Sequence, residues 1–213
     1  MKKLLLTLLA TAALSSAAHA QILSVDFNGI FYNQTQSGFS GVAVPAQNSY
    51  QTTVGSYSLD VTYANSAVAN PWQEGAIPAD QLYSPLYKDY LSVNGFDGYT
   101  VTIGGLAANT SYDITLWLFG NTQYNFNGGS FSTFSSYALP TATNLTENAV
   151  ATSFTTDSNG SFTIGIAGTG WGVGAVNGFQ VSAVPEPASV TLVLGTALFG
   201  ITFRRRSSFR RRL

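Results

Sequence analysis

Tyr99-Thr100-Val101-Thr102-Ile103-Gly104-Gly105-Leu106-Ala107-Ala108-Asn109-Thr110-Ser111-Tyr112-Asp113-Ile114-Thr115-Leu116-Trp117-Leu118-Phe119 alternates in polarity twice over. Val101 and Ile103 take turns with Thr100 and Thr102. Tyr112, Ile114 and Leu116 then take turns with Asp113 and Thr115, and Leu118 continues the apolar face. A period of two puts every second side chain on one face of an extended backbone, whereas a helix needs apolar residues three and four apart. The stretch predicts two strands joined by a short corner. On the second strand Trp117 and Phe119 lie opposite Ile114, Leu116 and Leu118.

The same period recurs on both sides. Leu59, Val61 and Tyr63 alternate with Ser58, Asp60 and Thr62. Leu23, Val25 and Phe27 alternate with Ser24, Asp26 and Asn28, a half-buried strand closed by Asn28-Gly29. Residues 30–55 are rich in Gln, Ser, Gly and Asn and read mostly as loop. Residues 65–98 carry Asn70-Pro71-Trp72, Ile77-Pro78, Ser84-Pro85, Asn94-Gly95 and Asp97-Gly98, a density of breakers that marks turns. That excursion reads either as a surface crossover or as a binding rim. Residues 120–147 fit a hairpin or a long loop. Residues 149–156 and 161–167 read as a hairpin through Asp157-Ser158-Asn159-Gly160, with Phe162, Ile164 and Ile166 inward, and residues 176–183 form a last strand. No convincing amphipathic helix and no fixed repeat falls between Gln21 and Ala183. The fold expected is all-β, an antiparallel two-sheet β-sandwich of jelly-roll type with roughly eight strands.

Leu106, six residues before Tyr112, resembles the tyrosine corner of β-sandwiches, whose phenol bonds back across the turn. Such corners occur in galactose-binding-like jelly rolls and in fibronectin-type modules, and the domain weakly resembles both.

The two ends of the chain read as addresses. Lys2 and Lys3 precede the apolar run Leu4-Leu5-Leu6-Thr7-Leu8-Leu9-Ala10, and Ala18-His19-Ala20 supplies a small-x-small site. These are the parts of a secretory signal peptide over residues 1–20, cut by signal peptidase to leave Gln21 first. At the other end Val184-Pro185-Glu186-Pro187 is followed by an apolar run over 190–203 and by Arg204, Arg205 and Arg206. The prolines lack N–H donors, so neither sheet nor helix continues through them. The fourteen residues of that run reach about 21 Å as a helix at 1.5 Å per residue, shorter than a typical span, and with Ala188 and Ser189 about 24 Å, adequate for a transient anchor with some local thinning of the bilayer. The arginines hold the C-terminus on the cytoplasmic side.

Residues 184–213 resemble the PEP-CTERM sorting signal of Gram-negative bacteria, whose carriers are processed by the membrane protease exosortase. The resemblance implies an inner-membrane-anchored intermediate, a cut near Pro185-Glu186-Pro187, and delivery to the cell surface or an extracellular polysaccharide matrix. The chain thus divides into a signal helix (1–20), a sandwich (21–183) and a sorting signal with a transmembrane helix (184–213).

Setting the ends aside changes the charge. Eight of the nine basic residues lie in them, so Gln21–Ala183 keeps nine acids against Lys88 alone, a net of −8. Such a domain has no electrostatic footprint for nucleic acid. Cysteine is absent, so no disulfide staples it and stability rests on the core. The one histidine, His19, falls in the signal. A Ser-His-Asp triad, a His-activated cysteine and the usual zinc sites are therefore excluded from the domain. Gly168-Thr169-Gly170-Trp171-Gly172 lacks the following helix and the lysine that a phosphate loop requires.

What remains is oxygen chemistry and aromatic surface. Paired carboxylates suffice for glycoside hydrolysis, yet no spacing singles out a pair, and Asp26, Asp60 and Asp113 sit at polar strand positions expected to face solvent. Asn94 and the Asp97-Gly98 turn offer oxygen ligands for a structural Ca²⁺, without EF-hand spacing, and no other cofactor is implied. Trp72, Trp117 and Trp171 are the candidate sugar-stacking residues. The competing reading for Trp117 and Phe119 is burial on both faces of a central strand. The function expected is a non-enzymatic structural or adhesive surface protein. The alternatives are a carbohydrate-binding module and, last, a carboxylate hydrolase.

Overall fold

The computed structural model describes residues 20–28, 35–45, 49–63, 70–71, 86, 90–94, 98–136, 145–169 and 173–184. Gln21–Ala183 forms one compact unit. Its strands are β1 (Ala20–Asn28), β2 (Ser40–Ala43), β3 (Ser49–Val54), β4 (Tyr57–Tyr63), β5 (Asn70–Pro71) and β6 (Leu91–Asn94). They continue as β7 (Gly98–Gly104), β8 (Ser111–Phe126), β9 (Ser132–Ser136), β10 (Ala149–Thr155), β11 (Phe162–Gly168) and β12 (Val173–Ala183). No helix among the described residues is long and apolar enough to cross a membrane. Of the expected signal helix over 1–20 only Ala20 is described, and it opens β1 as strand; the transmembrane helix over 190–203 falls outside the described residues.

The fold is an all-β sandwich whose two layers share one strand. The first part of β8 lies between β10 (Ala149↔Trp117 to Thr155↔Ser111) and β12 (Gly178↔Trp117 to Ala183↔Tyr112). The last part lies between β11 (Gly168↔Thr122 to Ile164↔Phe126) and β9 (Gly120↔Ser136 to Tyr124↔Ser132). One layer therefore runs β2-β1-β12-β8-β10, with β6 and β5 extending from the start of β12. The other runs β9-β8-β11-β7-β4-β3. The strand changes layer at Gly120, whose φ of 75° is open to glycine at little cost. Thr122 fastens the bend. Its buried hydroxyl donates to the Phe119 carbonyl (2.7 Å) and accepts the Ala175 N–H (2.9 Å). β12 matches it with a bulge between Val176 and Gly178.

The inner faces make one core. Leu23, Val25 and Phe27 of β1, Phe179 and Val181 of β12, and Ile114, Leu116 and Leu118 of β8 meet residues from the second layer. Those are Leu59 and Val61 of β4, Val101 and Ile103 of β7, and Ile164 and Ile166 of β11. At one end the layers are joined by stacked rings. Tyr112 lies on Phe154 (5.7 Å), Phe154 on Phe162 (3.6 Å) and Phe162 on Phe126 (5.7 Å).

The tyrosine corner forms as expected. The Tyr112 hydroxyl accepts the Ala107 N–H at 3.0 Å, and Thr156 donates to the Ala107 carbonyl at 2.6 Å. The turn after β10 packs against it: Leu106 N–H donates to the Gly160 carbonyl (3.1 Å). Gly160 stands at φ 72°, and a Cβ there would come within 2.0 Å of the Leu106 oxygen.

Several local expectations are corrected. Residues 149–156 and 161–167 are not a hairpin, because β10 pairs with β8 while β11 pairs with β7 and β8. The turn between them is an arch from one layer to the other, and Phe154 and Phe162 meet face to face instead of side by side. The expected loop over 30–55 holds β2 and β3. β3 was hidden because Tyr50, Thr52 and Val54 alternate only weakly with Ser49, Gln51 and Thr53 on a half-buried edge. Of the two readings for residues 120–147 the hairpin holds, since the end of β8 pairs antiparallel with β9. The sheet is also not wholly antiparallel, since β1 and β2 run parallel. β1 is buried on both faces: Ser24, Asp26 and Asn28 are covered as fully as Leu23, Val25 and Phe27. The segment after it supplies the cover. Gln36 N–H donates to Asp26 Oδ2 (2.7 Å), and Asn28 Nδ2 donates to Thr35 Oγ1 (2.9 Å).

Candidate binding groove on the outer face of one layer

The outer face of the β4-β7-β11-β8 sheet is built from the polar half of each alternation. Register sets Thr62 opposite Thr100, Thr100 opposite Gly165, and Gly165 opposite Asn125, one continuous row across four strands. The next row holds Asp60, Thr102 and Thr163. Strand spacing of about 4.8 Å makes a four-strand row roughly 14 Å wide. A groove of about 410 Å³ opens over it, with Thr62, Thr100, Thr163, Gly165 and Asn125 in its floor and sides. The β8–β9 turn forms one bank through Gly128 and Phe131.

Two side chains set this groove apart from an ordinary solvated sheet. Phe131 is the exposed large hydrophobic residue among the described residues, at 50 %. Asn125 is 9 % exposed, and its carboxamide makes no hydrogen bond to any described residue. The amide lies flat across Gly165, where a Cβ would stand 2.4 Å from Asn125 Oδ1. Glycine at 165 thus leaves the space the amide occupies. The polar atoms of Asn125 are not among the buried ones left without a partner, so the amide reaches the solvent of the groove and is open to a ligand that hydrogen-bonds it.

The groove's other polar groups are organised. Asp60, beside it, accepts from Gln51 Nε2 (2.5 Å) and from Thr62 Oγ1 (3.0 Å). Thr102 and Thr163 share a hydroxyl contact of 3.4 Å, and Thr163 N–H donates to Asn127 Oδ1 (2.9 Å). Among the described residues the lining carries no carboxylate, amine or imidazole, and its hydroxyls are those of threonines and of Tyr63 and Tyr99. Such a surface can hydrogen-bond and stack. Beneath it, burial pushes the Tyr63 and Tyr99 phenols well above the ordinary tyrosine range, and for Tyr99 the neighbouring Tyr63 adds to the effect.

The residues singled out from sequence lie elsewhere. Trp117 is 4 % exposed, donates its indole N–H to the Leu145 carbonyl (2.7 Å) and meets Phe39 edge-on at 5.3 Å. It therefore offers no face to a sugar, and burial on both strand faces is the reading that holds. Phe119 is likewise buried, stacked on Tyr90 at 5.8 Å. Trp72 and Trp171 lie outside the described residues, as do Asp97 and the side chain of Asn94. Asp26 is fully buried, not solvated. Asp113 accepts from Ser153 (2.6 Å), and Asp157 Oδ1 accepts the N–H groups of Asn159 and Ser161 (both 2.8 Å), so both acids organise turns and strands. Of the processing residues, Ala20 and Gln21 open β1 and are exposed, and Val184 follows β12. Ala18, Pro185, Glu186, Pro187, Arg204, Arg205 and Arg206 fall outside the described residues.

Asn125, Gly165 and Phe131 were missed. The signal that finds the first is weak: Thr122, Tyr124 and Phe126 alternate with Gln123 and Asn125, which assigns Asn125 to the outer face once the strand is accepted.

No curated protein matches the chain. Solved structures similar to it include a GH26-CBM35 β-(1,4)-mannanase from Podospora anserina (17 % identity, 68 % of this chain and 28 % of that one, TM-score 0.36). They also include a family 35 carbohydrate binding module from Clostridium thermocellum (16 %, 58 % and 92 %, TM-score 0.35). A third is the CBM22-1 xylan-binding domain of Paenibacillus barcinonensis Xyn10C (13 %, 68 % and 99 %, TM-score 0.34). The chain spans little more than a quarter of the mannanase's length. At the other end of the chain, residues 183–206 match the PEP-CTERM protein-sorting motif, so the strand that closes the sandwich runs directly into a sorting signal of exported proteins.

Proposed function

We propose that this is an exported surface or extracellular-matrix protein that carries out no catalysis and holds a polysaccharide through the groove on its β4-β7-β11-β8 face. The observation that carries the binding role is the groove itself, in which the solvent-open amide of Asn125 and the exposed ring of Phe131 line one wall of a polar strand face. The sorting motif supports the route. Signal peptidase cuts after Ala20, the 190–203 helix holds the domain at the inner membrane with Arg204–Arg206 in the cytoplasm, and exosortase cuts near Pro185-Glu186-Pro187. A purely structural role in the matrix is the second reading, favoured by the acids that are tied into turns and strands.

The route is tested by the intact mass of the protein recovered from outside the cell. The expected species begins at Gln21 and ends close to residues 185–187. A mature species still ending at Leu213 refutes processing. Binding is tested by retardation of that species in gels cast with soluble polysaccharides, with and without a chelator to reveal any dependence on structural Ca²⁺. Migration unchanged by every polysaccharide leaves the structural role.

A further inference from the structure

We infer that the groove selects an uncharged polysaccharide, laid across the strands along the Thr62–Thr100–Gly165–Asn125 row, with Asn125 reading its hydroxyls and Phe131 stacking on a sugar ring. This rests on the polysaccharide-binding role proposed above and specifies its ligand.

The charge argument comes first. Described residues lining the groove are threonine, glycine, asparagine and aromatic, with no lysine or arginine among them. The nearest acid placed on this face is Asp60, and Gln21–Ala183 keeps nine acids against Lys88. A polyuronate or sulfated glycan meets a repulsive field here and finds no cation to pair with its carboxylates. A neutral sugar needs what the row supplies. The Thr100 hydroxyl can both donate and accept, the Thr62 hydroxyl, whose proton goes to Asp60, can accept, and the carboxamide of Asn125 offers two donors and an acceptor.

The shape argument gives direction. Gly165 leaves the room that the Asn125 amide fills, so the amide lies in the row itself, next to Thr100, with no larger side chain at the Gly165 position between them. At roughly 14 Å, that row is longer than one sugar ring and calls for an oligomer. Phe131 stands at the bank next to Asn125, where an apolar ring face can cover the less polar face of a sugar.

The test uses the mature protein recovered from outside the cell, run in native gels containing barley β-glucan, konjac glucomannan, polygalacturonate or alginate. The expected result is retardation by at least one of the two neutral polymers, unchanged in 0.5 M NaCl, where the Debye length is only about 4 Å, and none by the two acidic ones. Asn125→Ala and Phe131→Ala should each weaken binding about tenfold, the scale of one lost amide hydrogen bond or stacking contact. Thr100→Ala, a change at an exposed position that cannot unsettle the core, gives a smaller loss and guards against misfolding of the Asn125 variant. Ser153→Ala, far from the groove, should bind as the parent. Retardation by the acidic polymers alone, abolished by salt, overturns this inference while leaving the carbohydrate reading intact. Neutral binding untouched by all three groove variants also overturns it. Absence of retardation by all four polymers overturns the reading on which it rests.

Discussion

Ala107 is gripped at both its N–H and its carbonyl, by the hydroxyl of nearby Tyr112 and by that of Thr156 far along the chain, and removing them measures what the corner contributes. Its N–H donates to the Tyr112 oxygen at 3.0 Å. Its carbonyl accepts from Thr156 Oγ1 at 2.6 Å, while the same Thr156 oxygen accepts the Thr110 N–H at 3.0 Å. Tyr112→Phe keeps the ring stacked on Phe154 but leaves a partly buried donor without its acceptor, a loss of about 1–3 kcal/mol. Thr156→Val, close in shape, removes the donor to Ala107 and the acceptor for Thr110 together, so it should cost about 2 kcal/mol or more. For a domain of this size each kcal/mol lowers Tm by about 2–4 °C.

Urea unfolding of the two single variants and the double variant, followed by circular dichroism, closes the cycle. The m-value should stay constant, since the exposed surface does not change. The double variant should be less destabilised than the sum of the singles by about 0.5 kcal/mol or more, because both hydroxyls hold the same residue, Ala107. Once either is gone the corner loosens and the other group reaches water. A Tyr112→Phe protein within about 0.5 kcal/mol of the parent, or strict additivity, would refute the idea that the corner acts as a single clamp.

Two further outcomes follow from the core. Phe154→Ala breaks the stack that joins Phe162 to Tyr112 across the layers and should cost about 3–5 kcal/mol in the same urea assay; a loss under about 1 kcal/mol would mean the layers do not depend on that contact. The raised phenols of Tyr63 and Tyr99 stay protonated in the fold after tyrosines of the unfolded chain ionise near pH 10. Their contribution is therefore complete below about pH 10 and falls as pH rises beyond it, by up to about 1.4 kcal/mol per pH unit for each. Denaturant midpoints measured between pH 8 and 11.5 should be flat and then drop, and Tyr63→Phe should soften the drop; a midpoint level throughout contradicts the burial assigned to these phenols.

What alternation reveals is which residues share a face, and it did so reliably. Val101 with Ile103, Leu59 with Val61, and Tyr112 with Ile114 and Leu116 all turn inward together. It cannot say whether a loop covers the other face, and that is where expectation and structure part. Ser24, Asp26 and Asn28 looked solvated because they are polar, yet the segment around Thr35 and Gln36 closes over them. Trp117 looked available because it sits opposite Leu116, yet Phe39, Leu86 and Leu145 close over it. Both cases lie on the same layer. Its outer face also holds Gly178, where a Cβ would meet both the Val25 carbonyl and Leu86.

The second layer has the reverse history. Its outer residues, Ser58, Thr62, Thr100 and Thr163, carry nothing that distinguishes them from any exposed strand, and the stretch that completes them read equally as a hairpin or a long loop. Only the bend at Gly120 brings Asn125 alongside Gly165, and only the β8–β9 turn brings Phe131 to the same place. Large aromatic side chains, the usual clue to a sugar site, were therefore a guide to the covered layer. The layer left open is recognised by small residues: a glycine that makes room, an amide that uses the room, and threonines that keep the floor flat. If that division is right, loops over the first layer hold the fold together and the bare second layer meets the polymer. Substitutions at Trp117 should then change stability without changing retained affinity, and those at Phe131 should do the opposite.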